Sequence, residues 1–274
     1  MSSNDVSQLT AMGFPEASAR EALGMSNGNL ETAINILLGA VEPIATSHAS
    51  QSESSYSAPD NSIDENAGDI IIGSISQYSV ENGRSACTCI ALTAATKFLK
   101  YPTVNPPFLQ EMIHKGVENY NSLSSVSNVE HLSAEEVLQK DQGKLFPVKS
   151  LRGGVRQGIL SHDSGHPLGL GSILQGIRQE QTKEWTAILI TKTPETVLVF
   201  FPPNMVSPST YWLIDSHPRG HLGLESAYAK PHNSIESLTR SLEDIFPCTD
   251  LGPDVPEMMA MMYNSFDLYP LKLP

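Results

Sequence analysis

Residues 77–89 read QYSVENGRSACTC, and residues 211–217 read YWLIDSH. In the first stretch the polar turn Asn82-Gly83 leads into a predicted helix over residues 87–99, with Ile90, Leu92 and Phe98 available for packing. The second is an apolar run rich in aromatic and β-branched residues, which reads as a strand ending near Asp215 and His217. Runs of the same kind occupy residues 185–190 and 196–201, and Pro202-Pro203 and Pro208 mark a loop before the last strand. Working outward, helices are expected over residues 107–120, 172–183 and 235–246. Ser133-Ala134-Glu135-Glu136 fits a capping box opening another short helix. Ile70, Ile71 and Ile72 suit an edge strand. Helices come first and strands second, an α+β order.

Cys87 falls at or near the start of its helix. A helix N-terminus presents unpaired N–H groups and a partial positive charge. Both favour a thiolate, and the same N–H groups can bind the oxyanion of a tetrahedral intermediate. Gln77, a little upstream, offers a side-chain amide as a second donor, with Asn82 as the alternative. Cys89, two residues on, points away and is read as core. Side chains alternate along a strand, so Asp215 and His217 are expected on one face. There the carboxylate can orient the imidazole and stabilise its cation. A nucleophilic cysteine needs such a base, held by such an orienter. His221 is the rival base, but no acidic residue stands two positions before it. His162 and His166 read as a surface loop. No further cluster completes a zinc site, so neither metal nor cofactor is expected.

Composition narrows the function class. The 274 residues carry 17 Lys plus Arg against 30 Asp plus Glu, a formal charge of -13. Binding nucleic acid needs a basic face, and a membrane surface favours a polybasic patch; neither partner is expected here. Charged residues are 17% of the chain, against roughly 25% in average soluble domains. Polar uncharged residues must therefore make up much of the surface. Three cysteines in a chain of this length do not make a disulfide framework and suggest free thiols. Residues 1–8 have no signal-peptide core, and no apolar run approaches the roughly 18 residues of a membrane span. The expected setting is the cytoplasm or nucleus.

The chain divides in two. In residues 4–41 three short helices are expected, with apolar positions at Val6, Leu9 and Met12, at Ala19, Ala22 and Leu23, and at Leu30, Ala33, Ile34, Leu37 and Leu38. Gly13 breaks the first helix, Pro15 suits the first position of the second, and Asn29 caps the third. Residues 42–66 are Ser, Ala, Pro, Asn, Glu and Asp with few large apolar residues, the composition of a disordered linker. About 25 such residues reach on the order of 25–30 Å. Residues 67–274 form the large domain. Near its end, Met258–Met262 with Phe266 and Tyr269 reads as a final packed helix, with a partner-binding segment as the alternative. Leu151-Arg152-Gly153-Gly154 reads as a plain turn.

Two resemblances follow. Met12-Gly13-Phe14, the Asn27-Gly28-Asn29-Leu30 turn and the Ala33-to-Leu38 stretch resemble a ubiquitin-associated (UBA) domain, a small three-helix bundle. The resemblance implies that Met12, Gly13, Phe14, Leu37 and Leu38 contact ubiquitin. The large domain resembles papain-like cysteine proteases with an antiparallel sheet. Within them it is similar to the herpesvirus tegument-type deubiquitinases, which pair an upstream Gln and a helix-start Cys with a late Asp-x-His. That resemblance rests on residues of about 75–95 and 185–220, and Glu81-Asn82-Gly83 is similar to a second deubiquitinase family, one preferring lysine-48 chains. It implies Cys87 as nucleophile, His217 as general base, Asp215 as its orienter and Gln77 in the oxyanion hole. The chain order Cys, Asp, His differs from papain's.

Both resemblances imply one partner, ubiquitin or polyubiquitin. A ubiquitin-binding module tethered to a thiol protease raises the local concentration of its substrate. The expected activity is hydrolysis of the bond after ubiquitin's C-terminal glycine. The alternatives are a non-catalytic adaptor with a pseudo-protease domain, or a thiol protease acting on a ubiquitin-like modifier.

Overall fold

The computed structural model describes residues 68–124, 131–163, 165–180, 183–204, 210–252 and 254–274, with residues 6, 20, 22–24 and 33 of the N-terminal segment. Those N-terminal residues are helical, and Val6, Ala22, Leu23 and Ala33, all expected on apolar faces, are buried. Met12, Gly13, Phe14, Leu37, Leu38 and the expected linker 42–66 lie outside the described residues. The chain separates into two compact units. One holds Met1–Asn61 with Asp250–Ala260; the other holds Ser62–Thr249 with Met261–Pro274.

The larger unit is organised on an antiparallel sheet. Its strands are β1 (Ile71–Ile72), β2 (Lys149–Ser150), β3 (Arg156–Ile159), β4 (Thr186–Lys192), β5 (Glu195–Phe201), β6 (Tyr211–Asp215), β7 (Tyr228–His232) and β8 (Ser265–Lys272). The order across it is β1-β7-β6-β5-β4-β8-β2, and β3 also pairs with β8. Helices cover both faces. On one side α1 (Cys87–Lys100), α2 (Pro106–Ser124) and α3 (Ala134–Asp141) pack on Ala187, Leu189, Leu198 and Phe200. On the other, α4 (Leu170–Glu180) and α5 (Ile235–Ile245) pack on Ile188, Ile190, Val197 and Val199. Burial on both faces is why β4 and β5 read as unbroken apolar runs rather than alternating ones.

Local signals set the elements that carry the site. The Ser133 capping box forms as expected, with Ser133 Oγ accepting from Glu136 N and Glu136 Oε2 accepting from Ser133 N. The β4 and β5 pairing runs from Thr186 opposite Phe201 to Lys192 opposite Glu195, so the turn between them is Thr193-Pro194. Phe98 of α1 stacks on Phe200 at 3.8 Å between ring centroids and meets Trp185 edge-on at 4.9 Å. Such pairs contribute about 0.5–1.5 kcal/mol beyond their area. They hold α1 rigidly over the sheet. At Gly116 an added Cβ would sit 2.5 Å from Ile90 Cα, so α2 crosses α1 at a distance only glycine allows.

Four expectations change. Helices and strands interleave instead of falling in two blocks: β2 and β3 precede α4, and β8 follows the last helix. Met258–Met262 does lie in a helix, α6 (Glu257–Tyr263), but none of its residues is buried, and Met258 and Met262 are 74% and 70% exposed. Phe266 and Tyr269 belong to β8, an interior strand next to the β2 edge, rather than to that helix. Helix α4 begins at Leu170, two residues before the expected start. Leu151–Gly154 is a turn, with Gly154 N donating to Leu151 O at 3.1 Å and both glycines at positive φ.

Candidate functional site

Cys87 is the first residue of α1. The preceding residue, Ala86, has no side chain that can cap the helix. Ile90 N already donates to Ala86 O, so the first-turn N–H groups ahead of it are the orphan donors of this helix end. The Cys87 thiol is 4% exposed and donates to the Pro194 carbonyl at 3.6 Å. The first turn is tied to the sheet through Thr88 Oγ1, 3.2 Å from Thr196 Oγ1, which in turn lies 2.9 Å from Thr191 Oγ1. Cys89 is 1% exposed within the apolar core, and burial pushes its thiol up to about 12. A thiol so raised does not ionise near neutrality.

Asp215 closes β6 and His217 stands just beyond it. Strand alternation is therefore not what joins them. The Asp215 carboxylate turns back on its own chain, and Oδ1 accepts from both His217 N at 2.9 Å and His217 Nδ1 at 2.7 Å. This is the local turn that Asp side chains form with the backbone two residues on. It fixes the ring and leaves Nε2 for another partner. Asp215 is 0% and His217 2% exposed. Burial opposes the imidazolium, but the charge and hydrogen bond of Asp215, the Cys87 thiol and Glu195 outweigh it and raise His217 to about 10. Burial likewise opposes the Asp215 carboxylate, yet His217 and Arg219 hold it below its ordinary range. The site thus favours a charged histidine beside the thiol.

Gln77 lies in a short 3-10 turn, Gln77–Ser79, and is fully buried. Gln77 N donates to Ser216 O at 2.9 Å, which ties it to the residue between Asp215 and His217. Its Nε2 donates to Arg84 O at 3.3 Å, towards the segment that opens α1. Gly83 makes that approach possible: an added Cβ there would sit 1.9 Å from Gln77 O. Asn82, the alternative amide, is exposed in a left-handed conformation at φ 63°. His221, the rival base, is exposed with Nε2 3.2 Å from Asp244 O, away from this cluster. His162 is exposed in the loop before α4. Among the described residues no group of three or more His, Cys, Asp or Glu is arranged to hold a metal ion.

Three further residues belong here that the sequence reading missed, Arg219, Glu195 and Tyr78. Arg219 Nε donates to Asp215 Oδ2 at 2.7 Å, and its Nη1 lies 2.8 Å from Glu195 Oε2. The i,i+4 spacing from Asp215 to Arg219 was visible, but it signals a pair only on a helix, and this segment is a strand end and loop. Tyr78 meets the His217 ring edge-on at 6.0 Å between centroids, and the Arg84 guanidinium lies 5.7 Å from the Tyr78 ring centroid.

Comparison with known proteins informs the two units unequally. No curated protein matches the chain. Among solved structures, the crystal structure of the Pseudomonas avirulence protein AvrPphB is 11% identical, spans 68% of this chain and 92% of its own, and has a TM-score of 0.37. A likeness that weak carries no argument for the large unit. Residues 2–37 match the UBA/TS-N domain, and the N-terminal segment is a domain of that type.

Proposed function

We propose that this protein is a cysteine-type deubiquitinase with a papain-like catalytic domain. The observation that carries the reading is the constellation at one end of the sheet. Cys87 opens an uncapped helix, His217 is bonded to Asp215 at 2.7 Å, and Gln77 is bound to the backbone between them. A buried cysteine kept only for packing has no need of a buried, charge-stabilised histidine. The UBA domain supports ubiquitin or polyubiquitin as the partner.

In this reading His217 takes the Cys87 proton as the substrate binds, or the two form a thiolate–imidazolium pair. The thiolate attacks the carbonyl carbon of the substrate's C-terminal glycine. The oxygen that becomes negative is met by the Cys87 N–H and Gln77 Nε2. His217 Nε2–H then protonates the departing amine, leaving ubiquitin joined to Cys87 as a thioester. Neutral His217 next takes a proton from water, whose oxygen attacks the thioester and releases the thiolate. Asp215 remains ionised throughout and holds Nδ1.

One observation favours the adaptor reading. The Cys87 thiol is nearly buried against Pro194, so the conformation described here does not present it to a substrate. The deciding experiment is incubation with ubiquitin bearing a C-terminal thiol-trapping electrophile, read by intact mass and peptide mapping. One ubiquitin-sized adduct on Cys87, lost in His217→Ala, is the expected result. No adduct, with ubiquitin still bound through residues 4–41, would leave an adaptor. The same electrophile on ubiquitin-like modifiers tests substrate class.

A further inference from the structure

Arg219 follows Asp215 by four residues, and its side chain is 8% exposed. Its backbone is pinned: Arg219 N donates to Leu224 O at 2.5 Å, and Leu224 N donates to Arg219 O at 3.0 Å. Its guanidinium lies 5.7 Å from the Phe246 ring centroid. From that anchored position it makes two ion pairs in two directions. Nε holds Asp215 Oδ2 at 2.7 Å, while Nη1 meets Glu195 Oε2 at 2.8 Å. Glu195 opens β5 directly after Pro194, whose carbonyl accepts the Cys87 thiol.

The division of labour on Asp215 matters. Oδ1 is spent on His217, on both its backbone and its ring. Oδ2 is fully enclosed and finds its partner in Arg219. Oδ1 alone is a pivot; the Arg219 bond to Oδ2 is the second restraint that stops the carboxylate turning about it. Stability alone is a poor account of this arrangement. Replacing a buried ion network with apolar side chains is often neutral or stabilising, and among the described residues Arg219 Nη2 remains buried without an acceptor. The guanidinium is costly to bury and incompletely satisfied, yet it is aimed at the carboxylate that orients the candidate base.

We propose that Arg219 is a positioning residue. It locks the rotation of Asp215, and through it the His217 ring, and uses Glu195 to anchor itself to the turn against which Cys87 rests. The proposal rests on the reading of Cys87 and His217 as a reactive pair. It concerns a residue that touches neither thiol nor substrate. The charged and titratable groups facing His217 are Asp215 on its own segment, Cys87 on α1, Glu195 on β5, Arg219 in the following loop and Tyr78 on the preceding turn. Arg219→Lys keeps the charge near this set but loses the fork that grips Asp215 and Glu195 together.

The test uses the whole chain and a small probe, iodoacetamide, so that ubiquitin binding does not enter. The rate of Cys87 alkylation is followed from pH 5 to pH 9 by peptide mapping, which separates Cys87 from Cys248 and Cys89. Wild type is expected to alkylate at pH 6 far faster than His217→Ala. Arg219→Lys is expected to fall about tenfold below wild type at pH 6 and to converge with it near pH 9, as the profile moves towards that of an ordinary thiol. Glu195→Gln, at a partly exposed position that tolerates the change, is expected to shift the profile in the same direction by about threefold at pH 6. A folded Arg219→Lys variant that follows the wild-type profile overturns the proposal. If that variant does not fold, a wild-type profile for Glu195→Gln overturns it instead. A wild-type profile indistinguishable from His217→Ala removes the reactive pair itself, a separate failure.

Discussion

Ser216 Oγ donates to Gln77 Oε1 at 2.7 Å, across 139 residues of sequence. This one bond sets which way the Gln77 amide faces. With its oxygen held, the NH2 end is turned towards Arg84 O and the start of α1. In the proposed mechanism this places the donor before any substrate arrives, as electrostatic stabilisation of an oxyanion requires.

The amide's role predicts a separable defect. Gln77→Ala is expected to lower kcat on a ubiquitin substrate by about 10²–10³-fold, the range found when one oxyanion donor is removed. Alkylation of Cys87 by iodoacetamide should stay near wild type, since no oxyanion forms in that reaction. A parallel fall in both rates would assign Gln77 to holding the fold.

The two neighbouring cysteines should behave oppositely. Cys87→Ala is expected to abolish both the ubiquitin adduct and turnover. Cys89→Ala should retain the adduct, because that thiol is sealed in the core and raised to about 12. Adduct retained in Cys87→Ala and lost in Cys89→Ala would exchange their roles.

The raised His217 links stability to pH. The native state keeps a proton that the unfolded chain releases near 6.5, so the contribution is full below that value. It fades as pH rises through about 10. Urea midpoints of Cys87→Ala, chosen to remove the thiol's own titration, should fall between pH 7 and pH 10. Adding Asp215→Asn should flatten that slope. Asp215 acts in the opposite sense in acid: its lowered value adds stability above the ordinary carboxylate range, and this is lost as pH drops.

Gly83 is expected to tolerate no side chain. A Cβ placed 1.9 Å from Gln77 O must push the Gln77 backbone away, and with it the amide. Gly83→Ala should lower stability by roughly 1–3 kcal/mol, as overpacking does. Activity should fall further than that loss of folded population explains. Thermal melts and turnover on the same sample separate the two effects.

Legibility from sequence followed the type of signal. Apolar runs at residues 186–192 and 211–215 became β4 and β6 because a doubly covered sheet demands them. The Ser133 capping box is a purely local pattern and formed locally. Strands β7 and β8 escaped because each carries a proline, Pro231 and Pro270, which argues against a strand interior. Pro231 is accommodated because β1 is short and pairs only with Tyr228 and Ala229. In the site, Asp215 and His217 were paired for the wrong local reason: a carboxylate folding back on its own backbone, not strand alternation. The pairing of Arg219 with Glu195 is not legible in the sequence. Their pairing depends on how the β4–β5 turn meets the loop after β6, a fact of tertiary packing with no local pattern. The methionines of α6 were expected to be buried because they are apolar, and apolar content alone does not say that a surface will be covered.

The position of β8 has a consequence for how the protein is made. Residues 265–272 lie between β4 on one side and β2 and β3 on the other, so among the described strands these depend on the last one synthesised. A ribosome that has already released Cys87, Asp215 and His217 has not yet supplied the strand that links β2 and β3 to the rest of the sheet. The sheet is closed by contacts of long sequence separation, which form slowly. A stop codon even a few residues before 265 removes the strand on which β2, β3 and one whole edge of β4 are paired.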